Sequence, residues 1–146
     1  MIDKNSDFRN NTPHFIIIDD DAFNNFLCTA LLHHLNPAIA VSTFKDSDEA
    51  YKHLEQFSNS TSVGKLVILL DINLPRFEAW EFIEKFKKMS DTIHELTTLY
   101  IFASSIDGRD KTKVASNPLI KGFIQKPMDK ELLEQIVASK TLHNAL

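Results

Sequence analysis

The sequence predicts a doubly wound α/β fold, a parallel sheet of five strands alternating with five helices. Three observations carry this reading. Short uninterrupted apolar runs, such as FIII (residues 15–18) and LVILL (66–70), recur along the chain, as strands buried on both faces require. Between these runs the apolar spacing lengthens to that of helices. Four runs then end abruptly, in Asp19-Asp20, Asp71, Ala103-Ser104-Ser105 and Lys126.

The elements follow in order. Residues 1–13 are rich in Asn, Asp and Ser and read as a loose tail ending at Pro13. After the strand at 15–18, Phe23, Phe26, Leu27, Ala30, Leu31 and Leu35 fall at helical spacing, and Asn36-Pro37 stops the helix. Residues 39–44 form the second strand. Asp46-x-x-Glu49 then has the form of a capping box for a helix with Ala50, Leu54 and Phe57 on one face. A polar loop, 58–64, leads into the strand 66–70. The third helix follows Pro75, with Phe82, Ile83, Phe86 and Met89 inward.

Residues 98–102 are the fourth strand, and a short lysine-rich helix at 110–116 is stopped by Asn117-Pro118. A fifth strand at 122–124 runs into Lys126-Pro127. Asp129 caps the last helix, which turns Leu132, Leu133, Ile136 and Val137 inward. Right-handed crossovers make this order a parallel sheet with helices on both faces.

Composition sets the limits. The 146 residues, 43% hydrophobic and 25% charged, suit one globular domain. A net charge of −4 argues against direct contact with nucleic acid, which needs a positive footprint. The single cysteine, Cys28, forms no internal disulfide and sits in an apolar helical pattern, where a buried thiol is the expected role. No apolar run approaches the roughly 18 residues of a membrane span, and the polar N-terminus does not read as a signal peptide. The expected location is the cytoplasm, away from the membrane.

All the strand ends named above lie at the carboxyl edge of the sheet, where open α/β folds place their ligands. A lone aspartate there is more often a turn or cap residue, and a lone lysine a solvated one. Here Asp19, Asp20, Asp71 and Lys126 converge. Like charges about 4 Å apart cost on the order of 4 kcal/mol at an effective dielectric near 20. Such a cluster is relieved by a raised pKa or a bound cation, and a hard divalent ion such as Mg²⁺ suits oxygen donors. A cation, Lys126 and a serine hydroxyl could surround a phosphoryl group on Asp71. Other chemistries lack their parts. There is no GxxxxGK[ST] loop, three glycines cannot form a dinucleotide fingerprint, and the six histidines show no metal-ligand spacing.

FIIIDDD, LLDINLP, a serine-bearing fourth strand end and FIQKP, in this order and spacing, resemble the receiver domain of two-component response regulators. DINLPRFEAWEF is similar to stand-alone receivers of Bacteroidetes-type bacteria. The resemblance covers residues 14–138 and leaves a C-terminal tail at 139–146. It implies a flavodoxin-like (βα)5 receiver fold, with Asp71 as the phospho-acceptor. Asp20 would be a direct metal ligand, Asp19 a ligand through water, and Asn73 a ligand through its backbone carbonyl. Lys126 would pair with phosphate, with a cis bond to Pro127, and Phe123 would be the aromatic switch. The implied ion is Mg²⁺, or Mn²⁺ in its place.

The resemblance also implies a phosphorelay role. The donor would be a histidine kinase or phosphotransfer protein, and the downstream target a protein the sequence does not name. Catalysis would be limited to the chain's own phosphorylation and dephosphorylation. Three positions depart from the family pattern. Ala79 stands where Gly is usual, so left-handed backbone there would cost roughly 1 kcal/mol. Glu78 replaces Asp or Asn. The switch hydroxyl is Ser104 if counted 22 residues back from Lys126, whereas the SSxDP-like run of the stand-alone group places Ala103 there instead. The first count is preferred, because alanine would remove the hydroxyl that reads the phosphate. Two readings stand: a phosphorylated single-domain switch, and a receiver-fold binding module that no longer uses phosphate.

Overall fold

The computed structural model describes residues 12–58 and 64–138. Of the expected tails, residues 1–11 and 139–146 lie outside the described residues, as do 59–63 of the expected polar loop. The chain runs β1 (His14–Ile18), α1 (Ala22–Leu35), β2 (Val41–Phe44), α2 (Ser47–Ser58) and β3 (Leu66–Leu70). A 3-10 turn (Pro75–Phe77), α3 (Glu78–Lys87), α4 (Asp91–Leu96) and β4 (Thr97–Ala103) follow. It then continues through α5 (Gly108–Ser116), β5 (Ile120–Gln125) and α6 (Lys130–Ala138). The five strands lie in the order β2-β1-β3-β4-β5, and every pairing is parallel.

Strand alternation explains the uninterrupted apolar runs. Ile16, Ile18, Leu66, Ile68, Leu70, Leu99, Ile101 and Ala103 face one core, which Leu54, Phe82, Ile83, Phe86, Ile93 and Val114 cover from the helices. Phe15, Ile17, Val67, Leu69, Tyr100 and Phe102 face a second core, closed by Cys28 and Leu32 of α1 and Leu133 and Ile136 of α6. Because both faces are covered, a polar residue on either would have to give up roughly the 1.5–3 kcal/mol that a buried aliphatic side chain contributes. Among the described residues, no helix is long and apolar enough to cross a membrane.

Element ends shift by one or two residues, with β2 at 41–44, β4 at 97–103, the helix before β5 at 108–116 and β5 at 120–125, and three larger differences from the sequence expectation follow. In α1, Phe23 and Phe26 are 71% and 70% exposed, and the buried stripe is Asn24, Asn25, Cys28 and Leu32. Apolar spacing alone assigned the wrong face, because two buried asparagines replace hydrophobic residues. A sixth helix, α4, precedes β4. It carries one buried apolar residue, Ile93, too few for a periodic signal, and Ser90 caps it by accepting from the Ile93 N–H at 3.3 Å. Finally, Ala79 is buried within α3, and the left-handed backbone falls on Arg76 (φ 57°, ψ 29°). The cost considered for Ala79 is therefore borne by Arg76, at about 1 kcal/mol.

At the amino edge of the sheet, His14 meets Phe57 and His53 edge-on, at centroid distances of 5.4 and 5.8 Å. His53 also packs on Phe44 and Phe57. The His14 Nε2 lies 2.9 Å from the Ser42 hydroxyl. Burial lowers both imidazole pKa values, and the charge of His53 lowers that of His14 further. A lowered histidine pKa means the unfolded chain binds protons first. The neutral pair therefore contributes its full stability above the unfolded value, near 6.5, and loses it as pH falls through the folded values. The melting midpoint should fall by a few degrees between pH 7 and 5, and His53→Phe should flatten that dependence. Equal slopes in the two proteins would remove the histidine pair as the cause.

Candidate acidic site at the carboxyl edge

Backbone pairing sets the site. The Asp71 N–H donates to the Ile18 carbonyl at 2.9 Å, the Asp19 N–H to Phe44 at 2.9 Å, and the Lys126 N–H to Ala103 at 2.9 Å. Each of these residues is thus held one step beyond its strand, at the same edge. Asp19 is wholly buried, Asp71 is 5% exposed, and Asp20 is exposed. Carboxylate oxygens of the three lie within 4.8 Å of one another.

Lys126 ties the cluster together. Its ammonium lies 2.6 Å from Asp19 Oδ2 and 3.3 Å from Asp71 Oδ2, over the Phe102 ring at 5.5 Å. Burial alone would lower its pKa, but the two carboxylates outweigh burial and raise it. The Asp71 pKa is raised, first by burial and then by the charge of Asp19. The Asn73 N–H, donating to Asp71 Oδ1 at 2.9 Å, and Lys126 oppose the rise without cancelling it. One lysine thus serves two buried acids and leaves Asp71 undercompensated. The Lys126–Pro127 peptide bond is cis.

The remaining expected residues lie around this core. Asn73 is exposed, with its side-chain amide 3.5 Å from the Ser105 carbonyl. Ala103 ends β4 fully buried, on the sheet face that also carries Phe123. Ser104, the next residue, is exposed, and its carbonyl accepts from the Gln125 amide at 3.2 Å. Phe123 is half-buried, paired with Ile101 across the sheet. Glu78 is engaged elsewhere: its Oε1 lies 3.4 Å from the Ser47 hydroxyl.

Two contributors escaped the sequence reading. Asn24 and Asn25 are 7% and 6% exposed. The Asn24 Nδ2 donates to Asp19 Oδ2 at 2.8 Å, and the Asn25 Nδ2 to the Asp19 carbonyl at 2.8 Å. The available signal was a pair of amides, five and six residues after Asp19, inside an apolar helix.

The set is all hard oxygen donors with surplus negative charge, which fits Mg²⁺ or Mn²⁺. A raised carboxyl pKa is a folded-state cost at neutral pH. The contribution of the protonated form is present below the unfolded value and lost as pH rises through the folded one. Asp71→Asn should therefore raise the melting midpoint in metal-free buffer at pH 7.5 by roughly 2–4 °C, the shift about 1 kcal/mol gives at this size. The gain should vanish near pH 3. Destabilisation at pH 7.5 would mean that Lys126 compensates both acids fully.

Comparison with known proteins bears on this arrangement. The family model described as response regulator receiver domain matches residues 15–138. A response regulator receiver protein from Dyadobacter fermentans is similar at 29% identity and TM-score 0.73, over 84% of this chain and 93% of that one. A two-component response regulator from Cytophaga hutchinsonii superposes at TM-score 0.74 with 23% identity, over 86% and 93%. The chemotaxis response regulator CheY4 of Vibrio cholerae does so at 0.65 with 19% identity, over 92% and 99%. No protein of curated function matches. With the family model spanning nearly all of the described residues, the chain belongs to the response regulator receiver domains.

Proposed function

We propose that the protein is a phosphoryl-accepting switch of the cytoplasm, loaded on Asp71 by a histidine kinase or phosphotransfer protein. The observation that carries this is partly buried Lys126 between buried Asp19 and Asp71, with Asp20 at the rim. An oxygen of Asp71 attacks the donor phosphorus, forming an O–P bond. The bond from phosphorus to the donor imidazole nitrogen breaks, and its electron pair leaves with the imidazole. The Asn73 N–H steadies Asp71 through Oδ1, and Lys126 brings positive charge to the phosphoryl oxygens. Asp20, Asp71 and the Asn73 carbonyl, with Asp19 through water, would hold Mg²⁺, which when bound neutralises charge on those oxygens. Catalysis is confined to this transfer and to hydrolysis of the resulting acyl phosphate.

The donor has to cover the acid edge, and Phe23 and Phe26, in the first turns of α1, offer it an exposed aromatic surface. Readout runs through Ser104 and Phe123. The Ser104 hydroxyl, one residue past the strand, turns toward the phosphoryl group, and half-buried Phe123 closes into the space released. The downstream target is a protein that reads this face.

Acetyl phosphate with Mg²⁺ should add one phosphoryl mass to the intact chain, and Asp71→Ala or chelation should abolish the gain. A mass gain that survives Asp71→Ala would place the acceptor elsewhere. Lys126→Ala should still accept some phosphoryl group but lose the amide NMR shifts around Phe123. Ser104→Ala should lose them too. Persistence of those shifts in Ser104→Ala would remove Ser104 from the readout.

A further inference from the structure

We propose that Asn24 is a positioning residue for the acceptor site. Its amide keeps the Asp19 carboxylate aimed and hydrogen-bonded while Lys126 moves from that carboxylate to the group on Asp71. The inference rests on reading Asp71 as the acceptor.

Asp19 Oδ2 receives two donors, Asn24 Nδ2 at 2.8 Å and Lys126 Nζ at 2.6 Å, while Oδ1 receives the Asp21 N–H at 2.9 Å. Lys126 sits closer to Asp19 than to Asp71, at 2.6 against 3.3 Å. Serving a phosphoryl group on Asp71 therefore draws it away from Asp19. A wholly buried carboxylate losing its charged donor with no other side chain bonded to that oxygen would oppose that departure. Asn24 removes the obstacle, because one bond to the same oxygen persists.

An uncharged donor is the suitable type. A second cation at this place would compete with Lys126 for Asp19 and repel a metal ion. The orientation of the amide is set from behind. Burial raises the Cys28 pKa to about 11, so the thiol stays protonated at neutral pH, and its sulfur lies 4.0 Å from Asn24 Oδ1 as donor. That leaves the amide nitrogen facing Asp19. Asn25 clamps the Asp19 carbonyl at 2.8 Å, so backbone and side chain of the acid are both held. Two amides at positions where α1 should carry apolar residues thus have a single object. A purely structural asparagine would need only to satisfy itself.

The test is a double-mutant cycle in metal-free buffer, read by urea unfolding of wild type, Asn24→Leu, Lys126→Met and the double variant. Donors sharing one buried oxygen should couple, so the double loss should change the unfolding constant at least threefold beyond the product of the single losses. Asn24→Ala replaces Asn24→Leu if the larger side chain does not fold. With acetyl phosphate at saturating Mg²⁺, both Asn24 variants should phosphorylate about tenfold more slowly at unchanged half-saturating acetyl phosphate. Multiplicative single losses, or wild-type phosphorylation rates in the Asn24 variants, would overturn the assignment. If the wild-type chain takes no phosphoryl group, the acceptor reading fails, while the urea cycle still decides whether Asn24 and Lys126 act on one oxygen.

Discussion

One partly buried ammonium, that of Lys126, sits between two buried carboxylates, 2.6 Å from Asp19 and 3.3 Å from Asp71. The rest of the structure can be understood as what makes this arrangement tolerable. Three strands must end at one edge for these groups to meet, which the parallel β1-β3-β4-β5 order provides. Their backbones must be fixed one residue beyond the ladder, which the bonds from Asp19, Asp71 and Lys126 to neighbouring strands provide. The apolar cores beneath then supply the stability that an undercompensated acid subtracts.

Imbalance is the useful property of the site. Two full ion pairs would leave nothing for a cation to satisfy. With one lysine between two acids, and Asp20 exposed beside them, each added positive charge or shared proton relieves an existing repulsion. Folding stability and cation binding would therefore pull in opposite directions at Asp71, a common feature of sites that hold binding capacity in reserve.

Much of this was legible in the sequence. The runs FIII of β1 and LVILL of β3 were unmistakable, because burial on both faces leaves them no polar position, whereas the edge strands β2 and β5 carry Ser42, Thr43, Lys121 and Gln125. The acids and Lys126 stood out as the residues that end those runs. What stayed hidden had a physical reason in each case. The helix α4 is a single turn and a half anchored by Ile93, below the length at which periodicity speaks. In α1 the rule that apolar residues face inward failed in both directions, with Phe23 and Phe26 outside and Asn24 and Asn25 inside. Both reversals lie next to the acid site, where the bonds of Asn24 and Asn25 to Asp19 hold those two amides inward. The left-handed residue was sought at Ala79 and occurs at Arg76, three positions earlier, because α3 begins only after the Pro75–Phe77 turn.

The site depends on Lys126 as a shared charge, proposed to change partners. This exchange is tested by a crystal structure of the protein with Mg²⁺ and beryllofluoride, which would stand in for a phosphoryl group on Asp71. Lys126 Nζ is expected on a fluoride and beyond hydrogen-bond reach of Asp19 Oδ2, with Asn24 Nδ2 still donating to that oxygen. An ammonium that remains on Asp19 while the fluorides find other partners would contradict it.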